Sequence, residues 1–409
     1  MAKTLISFLG TGLAEKQDGT KLREYRKATY SYESKVIGES PFVSSLLMDY
    51  FQFDNIILIG TVKSMWEAVY HYYCEKNNFE FDLYMYIELA DKIDKANNQT
   101  NLNVLDLSEV RKVIGQNSDA VLIPYGLNRV EQIEIFKTIS ETFKRFNDGD
   151  EIILDVTHSF RSLPLFATTI INYFQSLTEK KIQFEKVYYG MLDAMREFDG
   201  IAPIVDISTA VDLQKWTTAA YSFKEYGKGK LLADLLGGDE GAIIKIFSDA
   251  VNINYLNEIK ARLTNFQLFS QKKLSNEFAQ WVVPEVLASF AKRLQKVGSS
   301  NWKFQFELSQ WHYERENFSS AYIVFVESIL TFVCEHNGWK LDEKPKREAA
   351  KKLIIEKNFL NLKEIYTQAN KPRNNIAHNL NRRVNRTNTD IQNLGKMLKK
   401  FSKIVNQIN

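Results

Sequence analysis

Five short apolar runs recur along the first 210 residues, and they constrain the fold more than any other feature. They are TLISFLG (4–10), NIILIG (55–60), AVLIPYG (120–126), EIILDV (151–156) and KVYYGM (186–191). Each is rich in Ile, Val, Leu or Tyr without polar alternation, as in strands buried on both faces of a parallel sheet. Between them PFVSSLLMDYFQF, KSMWEAVYHYYCEK, VEQIEIFKTISETFKRF and FRSLPLFATTIINYFQSL have helical spacing. Repeated strand–helix units predict a Rossmann-like α/β domain over 1–207, with ligands at the carboxyl ends of its strands. Beyond it the pattern is helical. The expectation is a connector over 208–295, broken near LLGGDEGA and at Pro284, then a helical domain over 296–409. The GGDE tetrapeptide (237–240) reads as a helix C-cap and turn, not as a cyclase signature, because no strand hairpin surrounds it.

A chain of 409 residues with 44 % hydrophobic and 13 % aromatic content can fill more than one core. No uninterrupted apolar run of about 18 residues and no cleavable leader is apparent, and no membrane association is expected. Cys74 and Cys334 are isolated, consistent with a reduced, cytoplasmic setting. The net charge of +3 is unevenly distributed: residues 340–409 carry 17 Lys/Arg and 6 Asp/Glu. A basic C-terminal region on a mildly acidic body predicts a polyanionic partner, although a solvated lysine-rich face has the same composition.

Four strand ends carry groups able to hold a nucleotide. They offer Gly10, Thr11 and Gly12; Gly60, Thr61 and Ser64; Tyr125 and Gly126; and Thr157, His158, Ser159 and Arg161 from LDVTHSFRSLP (154–164). Glycines admit close backbone approach, and a helix N-terminus favours phosphate. Each piece also has a structural reading: GTG as a tight turn, Thr157 or Ser159 as a helix cap, His158 as a hydrogen-bonded core residue. Neither G-x-G-x-x-G nor G-x-x-x-x-G-K-[ST] follows a strand, which argues against NAD or ATP bound in the usual way.

Near the C-terminus stands NKPRNNIAHNLNRR, which contains the chain's sole Arg-x4-His match, Arg373 and His378. Five helical residues separate two side chains by roughly 140° around the axis, so one helix converges them poorly. Two copies meeting at a two-fold axis bring both pairs to one cleft. That chemistry suits attack by an RNA 2′-hydroxyl, with histidine moving protons, arginine holding the phosphate and Asn374 positioning. No carboxylate or Cys/His cluster is spaced for a metal. Alternatively, Arg373 pairs locally and His378 packs against a neighbouring helix.

The segments FLGTG, IGTVKSMW and LDVTHSFRSLP together resemble the CARF domain of CRISPR-associated proteins, and RNNIAHN resembles the R-x4-6-H motif of HEPN ribonucleases. Their order resembles that of the ancillary ribonucleases of type III CRISPR systems. The resemblance implies a homodimer whose CARF domains bind a cyclic oligoadenylate, with four adenylates favoured over six. It further implies metal-independent cleavage of single-stranded RNA at a composite site, without a cofactor. By position it makes Arg373 and His378 catalytic and assigns Gly10, Thr11, Gly12, Gly60, Thr61, Thr157, His158 and Ser159 to the activator pocket. Two alternatives stand beside it: a non-enzymatic CARF regulator that binds nucleic acid or protein, and a CARF pocket that degrades its own activator.

Overall fold

The computed structural model describes residues 1–12, 14–15, 22–158, 163–177, 179–271, 274, 276–295, 297–378 and 387–407. It divides into two compact units, Met1–Val211 and Asp212–Asn409.

The strands of the first unit are β1 (Lys3–Leu9), β2 (Ala14–Glu15), β3 (Glu24–Tyr25), β4 (Ala28–Tyr32), β5 (Lys35–Ser40), β6 (Asn55–Gly60), β7 (Asp119–Leu122), β8 (Glu151–Asp155), β9 (Gln183–Gly190) and β10 (Ile201–Asp206). Apart from the β2–β3 ribbon they form one sheet in the order β5-β4-β10-β9-β8-β1-β6-β7. The five apolar runs are its centre and one edge, and β9, β8, β1, β6 and β7 are mutually parallel. Burial explains their composition, since six of the seven β1 residues are buried. Three further strands, β4, β5 and β10, extend the sheet, and β10 runs antiparallel to β9. Their half-exposed sequences, such as ATYSY and KVIGES, lack a continuous apolar signal.

Helices α1 (Val43–Phe51), α2 (Trp66–Lys76), α3 (Leu83–Lys95) and α4 (Ser108–Ile114) share a core with one face of the sheet through Leu47, Trp66, Tyr86 and Val110. On the other face α5 (Arg129–Phe143) and α6 (Leu163–Leu177) contribute Ile139, Phe143 and Ile170. The free edge at β7 is blunted by charge. Arg111 donates to the Ala120 carbonyl at 2.9 Å and to Asp119, which also holds Arg145, so the strand offers no clean template for another chain.

The second unit is helical: α7 (Thr209–Tyr226, which begins in the first unit), α8 (Lys230–Leu236), α9 (Gly238–Asn252), α10 (Leu256–Gln271), α11 (Glu277–Gln295), α12 (Asn301–Glu314), α13 (Phe318–His336), α14 (Lys344–Lys357), α15 (Lys363–His378) and α16 (Thr387–Asn406). One core gathers Trp216, Phe223, Phe247, Phe290 and Trp311, and another gathers Trp302, Phe325, Ile329 and Phe401. Helices α12 and α13 supply side chains to both cores, which joins the expected connector and terminal helices into one body. Gly237, at φ 65°, closes α8, and Gly238 opens α9, as the turn reading of GGDE requires. Pro284, by contrast, does not break the chain. It lies inside α11, whose flanking Val283 and Leu287 are fully buried, so tertiary packing overrides the lost backbone donor. Helix α13 is long and apolar enough to cross a membrane by length and composition, yet 72 % of that stretch is buried in the unit's interior.

His312 on α12 is fully buried, 3.0 Å from Asn254 through Nε2 and 3.4 Å from Asn317 through Nδ1. Burial, aided by the charge of Arg315, pushes its pKa down to about 4 from 6.5. The neutral ring is the folded form, so its contribution is complete above pH 6.5 and is lost as pH falls toward 4. Denaturant unfolding should therefore show stability falling across this window by up to about 3 kcal/mol. The His312→Gln variant should lose that part of the slope; an unchanged slope would rule out His312 as its source.

Candidate functional site

Because β8, β1, β6 and β7 are parallel, their carboxyl ends lie along one edge of the sheet. The chain order reverses between β1 and β8, so the ligand crevice of such a sheet opens between these strands. Gly10 lies beyond β1 at this point, and Thr157 and His158 lie beyond β8. A Cβ on Gly10 would sit 3.4 Å from the His158 carbonyl oxygen, so the two loops run side by side.

Asp155 organises the edge. Fully buried at the end of β8, it accepts the Ser7 hydroxyl at 2.6 Å across the β1–β8 register. Its other oxygen accepts the Thr157 amide at 3.0 Å and hydroxyl at 2.6 Å. Thr157 Oγ1 in turn accepts the Gly190 amide at the end of β9, at 2.8 Å. One carboxylate thus ties three strand ends together. The His158 residue is half-buried, but its Nε2 atom is enclosed and has no hydrogen-bond partner among the described residues. Burial pushes its pKa down, partly offset by the charge of Asp155. A neutral imidazole here suits a hydrogen bond to a base or ribose better than an ion pair with phosphate.

The remaining strand-end residues divide by accessibility. Thr11 and Gly12 are exposed. Gly12 has φ 63°, and a Cβ there would lie 2.5 Å from the Tyr25 ring, which excludes other residues on both counts. Tyr25 is held from below: its hydroxyl donates to buried Glu67, which also receives Arg23. Thr61 and Ser64 are fully buried. Ser64 Oγ donates to the Leu9 carbonyl at 2.6 Å and accepts the Thr61 amide at 3.0 Å, locking the ends of β1 and β6 together. A Cβ on Gly60 would collide with Ser64 and Trp66. These three residues shape the edge from inside. Tyr125 is half-buried, and the Gly126 turn, at φ 80°, is fastened to α5 by its amide bond to Glu131 at 2.9 Å. Lys63, which chemistry alone would assign to phosphate, instead caps α3 through the Ile93 and Asp94 carbonyls. Ser159 and Arg161 lie outside the described residues.

In the second unit Arg373 and Asn374 stand on α15 despite Pro372 inside that helix. The Arg373 guanidinium donates to the Asn374 side-chain oxygen at 3.1 Å and lies 3.9 Å from Glu327 on α13. Glu327 also pairs with Arg347 of α14, which reaches Thr331. His378 is the last residue of α15, and its side chain lies outside the described set. Among the described residues no group of three or more His, Cys, Asp or Glu is placed to hold a metal.

Asp155 lies within the quoted segment LDVTHSFRSLP, but its partners are not visible in the sequence. Ser7, Tyr25, Glu67 and Glu327 were missed altogether. A serine inside an apolar strand was the available signal for Ser7; the others depend on tertiary contacts.

The fold and this edge define a Rossmann-like domain with a ligand crevice at the β1–β8 reversal. Residues 4–193 match the model of the CARF domain of the CRISPR system endoribonuclease Csx1. Residues 212–301 match the second domain of the CRISPR-associated protein MJ1674. Over 405 residues the chain is 34 % identical to CRISPR-associated protein MJ1674 of Methanocaldococcus jannaschii, covering 92 % of this chain and 62 % of that protein. The chain thus spans about three-fifths of the length of the curated relative it matches. These matches make the chain similar to that protein along most of its own length, and similar over residues 4–193 to the Csx1 CARF domain.

Proposed function

We propose that this chain is a cytoplasmic, homodimeric endoribonuclease that a cyclic oligoadenylate, of four adenylates rather than six, switches on. The activator binds at the crevice between the β1 and β8 loops of two copies. Single-stranded RNA is cut by its own 2′-hydroxyl at a composite HEPN-type site of Arg373 and His378, without metal. The observation that carries the reading is the juxtaposition of Gly10 with His158 at the β1–β8 reversal, within a segment that matches the Csx1 CARF domain. A symmetric ring of phosphates and bases suits a pocket built twice about an axis, and ligand binding can favour the arrangement in which the catalytic helices meet. Arg373 supplies a planar fork for the phosphate, and His378 at the end of α15 supplies an imidazole able to accept and donate protons.

The test incubates the full chain with labelled single-stranded RNA in EDTA, with and without cyclic tetra- or hexa-adenylate. Cutting that needs the ring, survives EDTA and leaves 2′,3′-cyclic phosphate ends is the expected result. Tight ring binding with no cutting of any RNA would support a regulator instead. Loss of the ring itself, with RNA intact, would place the chemistry in the CARF pocket.

A further inference from the structure

Six helices pair a cation with a carboxylate one turn away. The pairs are Lys92–Glu88, Lys112–Glu109, Lys144–Glu141, Lys215–Asp212, Lys245–Asp249 and Arg262–Glu258, on α3, α4, α5, α7, α9 and α10. Helix α16 is built differently. Its inner face buries Leu394, Met397, Leu398, Phe401 and Val405 in the core. Its exposed side carries Gln392, Lys396, Lys399, Lys400, Lys403 and Asn406. At 100° per residue all six fall within a stripe roughly 120° wide, holding four cations, two amides and no carboxylate. Lys396, Lys399 and Lys403 make no ion pair with any described residue, whereas Lys400 bridges to Glu364 on α15 at 2.6 Å.

That bridge gives the stripe a direction. On α15 the exposed residues Glu364, Gln368, Lys371 and Asn374 follow one another at spacings of four, three and three, so they share one side of the helix. Asn374 is the residue to which Arg373 donates. The Lys400–Glu364 bridge fixes α16 against the helix that carries Arg373, and it leaves Lys396, Lys399 and Lys403 of the stripe for phosphate. A solvated helix face has no need to exclude carboxylates, and the other six helices use them freely. A surface that holds successive phosphates must exclude them.

We propose that the outer face of α16 is a phosphate track for single-stranded RNA, holding the substrate strand remote from the bond that is cut. The inference rests on the nuclease reading above, and it adds the surface that gathers the substrate. Amides between the lysines offer hydrogen bonds to phosphate or sugar without reading a base, so the track accepts strands with little sequence demand.

The test is fluorescence anisotropy of a labelled single-stranded RNA with the full-length His378→Ala chain in EDTA, compared with the same chain also carrying Lys396→Gln, Lys399→Gln and Lys403→Gln. The expected result is affinity at least about tenfold weaker, with the log–log salt slope reduced by about 2, as three lost phosphate contacts on a single strand predict. Lys245→Gln, which removes a cation that is paired with Asp249, should change neither. The substituted lysines are all exposed, so unchanged melting relative to the His378→Ala parent confirms an intact fold. Equal affinity and slope in the triple variant would overturn the track. Tighter binding of duplex DNA than of RNA by the parent would overturn the assigned partner. No RNA binding by the parent at all would overturn the nuclease reading itself.

Discussion

Replacing either Arg373 or His378 with alanine should lower activator-dependent RNA cleavage by about a thousandfold or more, while binding of the cyclic ring at the CARF edge stays intact. The size follows from the two roles. Proton transfer by a placed side chain contributes about 10²–10⁴ in rate, and loss of one group that stabilises developing charge costs about 10²–10³. Arg373→Lys should not restore the rate, because an ammonium lacks the two parallel donors that span a phosphate. At the proposed site Glu327 would be the positioning residue, since it contacts both Arg373 and Arg347. Glu327→Gln leaves two guanidinium groups without the anion between them. It should lower kcat about tenfold with little change in the affinity for RNA. Single-turnover cleavage at saturating activator, with melting curves and anisotropy for each variant, separates these effects. Cleavage that persists in both alanine variants would remove Arg373 and His378 from the chemistry, and a pure loss of stability in Glu327→Gln would make that residue structural.

What could be read from sequence alone follows from where each signal resides. The five parallel strands were legible because a strand buried on both faces must be apolar throughout, as in NIILIG. The β4–β5 hairpin was not, because a half-exposed edge tolerates Ser, Glu and Lys, and neither was β10, whose Pro203 argues against a strand. Pro284 misled for a related reason: local propensity opposes helix there, and a core that buries Val283 and Leu287 outweighs it. At the candidate site, the motifs mark loops at the strand ends but not the packing of each side chain. Thr61 and Ser64 have the hydroxyls a ligand would want, yet both are buried within the turn they stabilise. Glu327 precedes Arg373 by 46 residues, and only the packing of α13 against α15 reveals the pair. Spacing can nominate a catalytic pair; what orients it is a tertiary fact.

The CARF edge should respond most sharply at Asp155, where the two available substitutions ought to differ. In Asp155→Ala the Ser7 hydroxyl and the Thr157 amide and hydroxyl lose their common acceptor inside the protein. Leaving such groups unpaired costs about 1–3 kcal/mol each, so a net loss of about 3 kcal/mol is expected after partial relaxation. Thr157 then no longer holds the Gly190 amide firmly, and the β1 and β8 loops that flank the crevice separate. Activator affinity should fall by about tenfold or more. In Asp155→Asn the side-chain oxygen can keep both Thr157 bonds, and the Ser7 hydroxyl can turn to accept from the new amide. Stability should fall by less than half as much. The charge is nevertheless gone, and with it the interaction that offsets the burial of His158, so that imidazole should titrate still lower. Urea unfolding and calorimetric titration with cyclic tetra-adenylate would decide the matter. If alanine and asparagine lose equal stability, the carboxylate's hydrogen bonds are not what ties the strand ends. If both keep full activator affinity, the β1–β8 crevice is not where the ring binds.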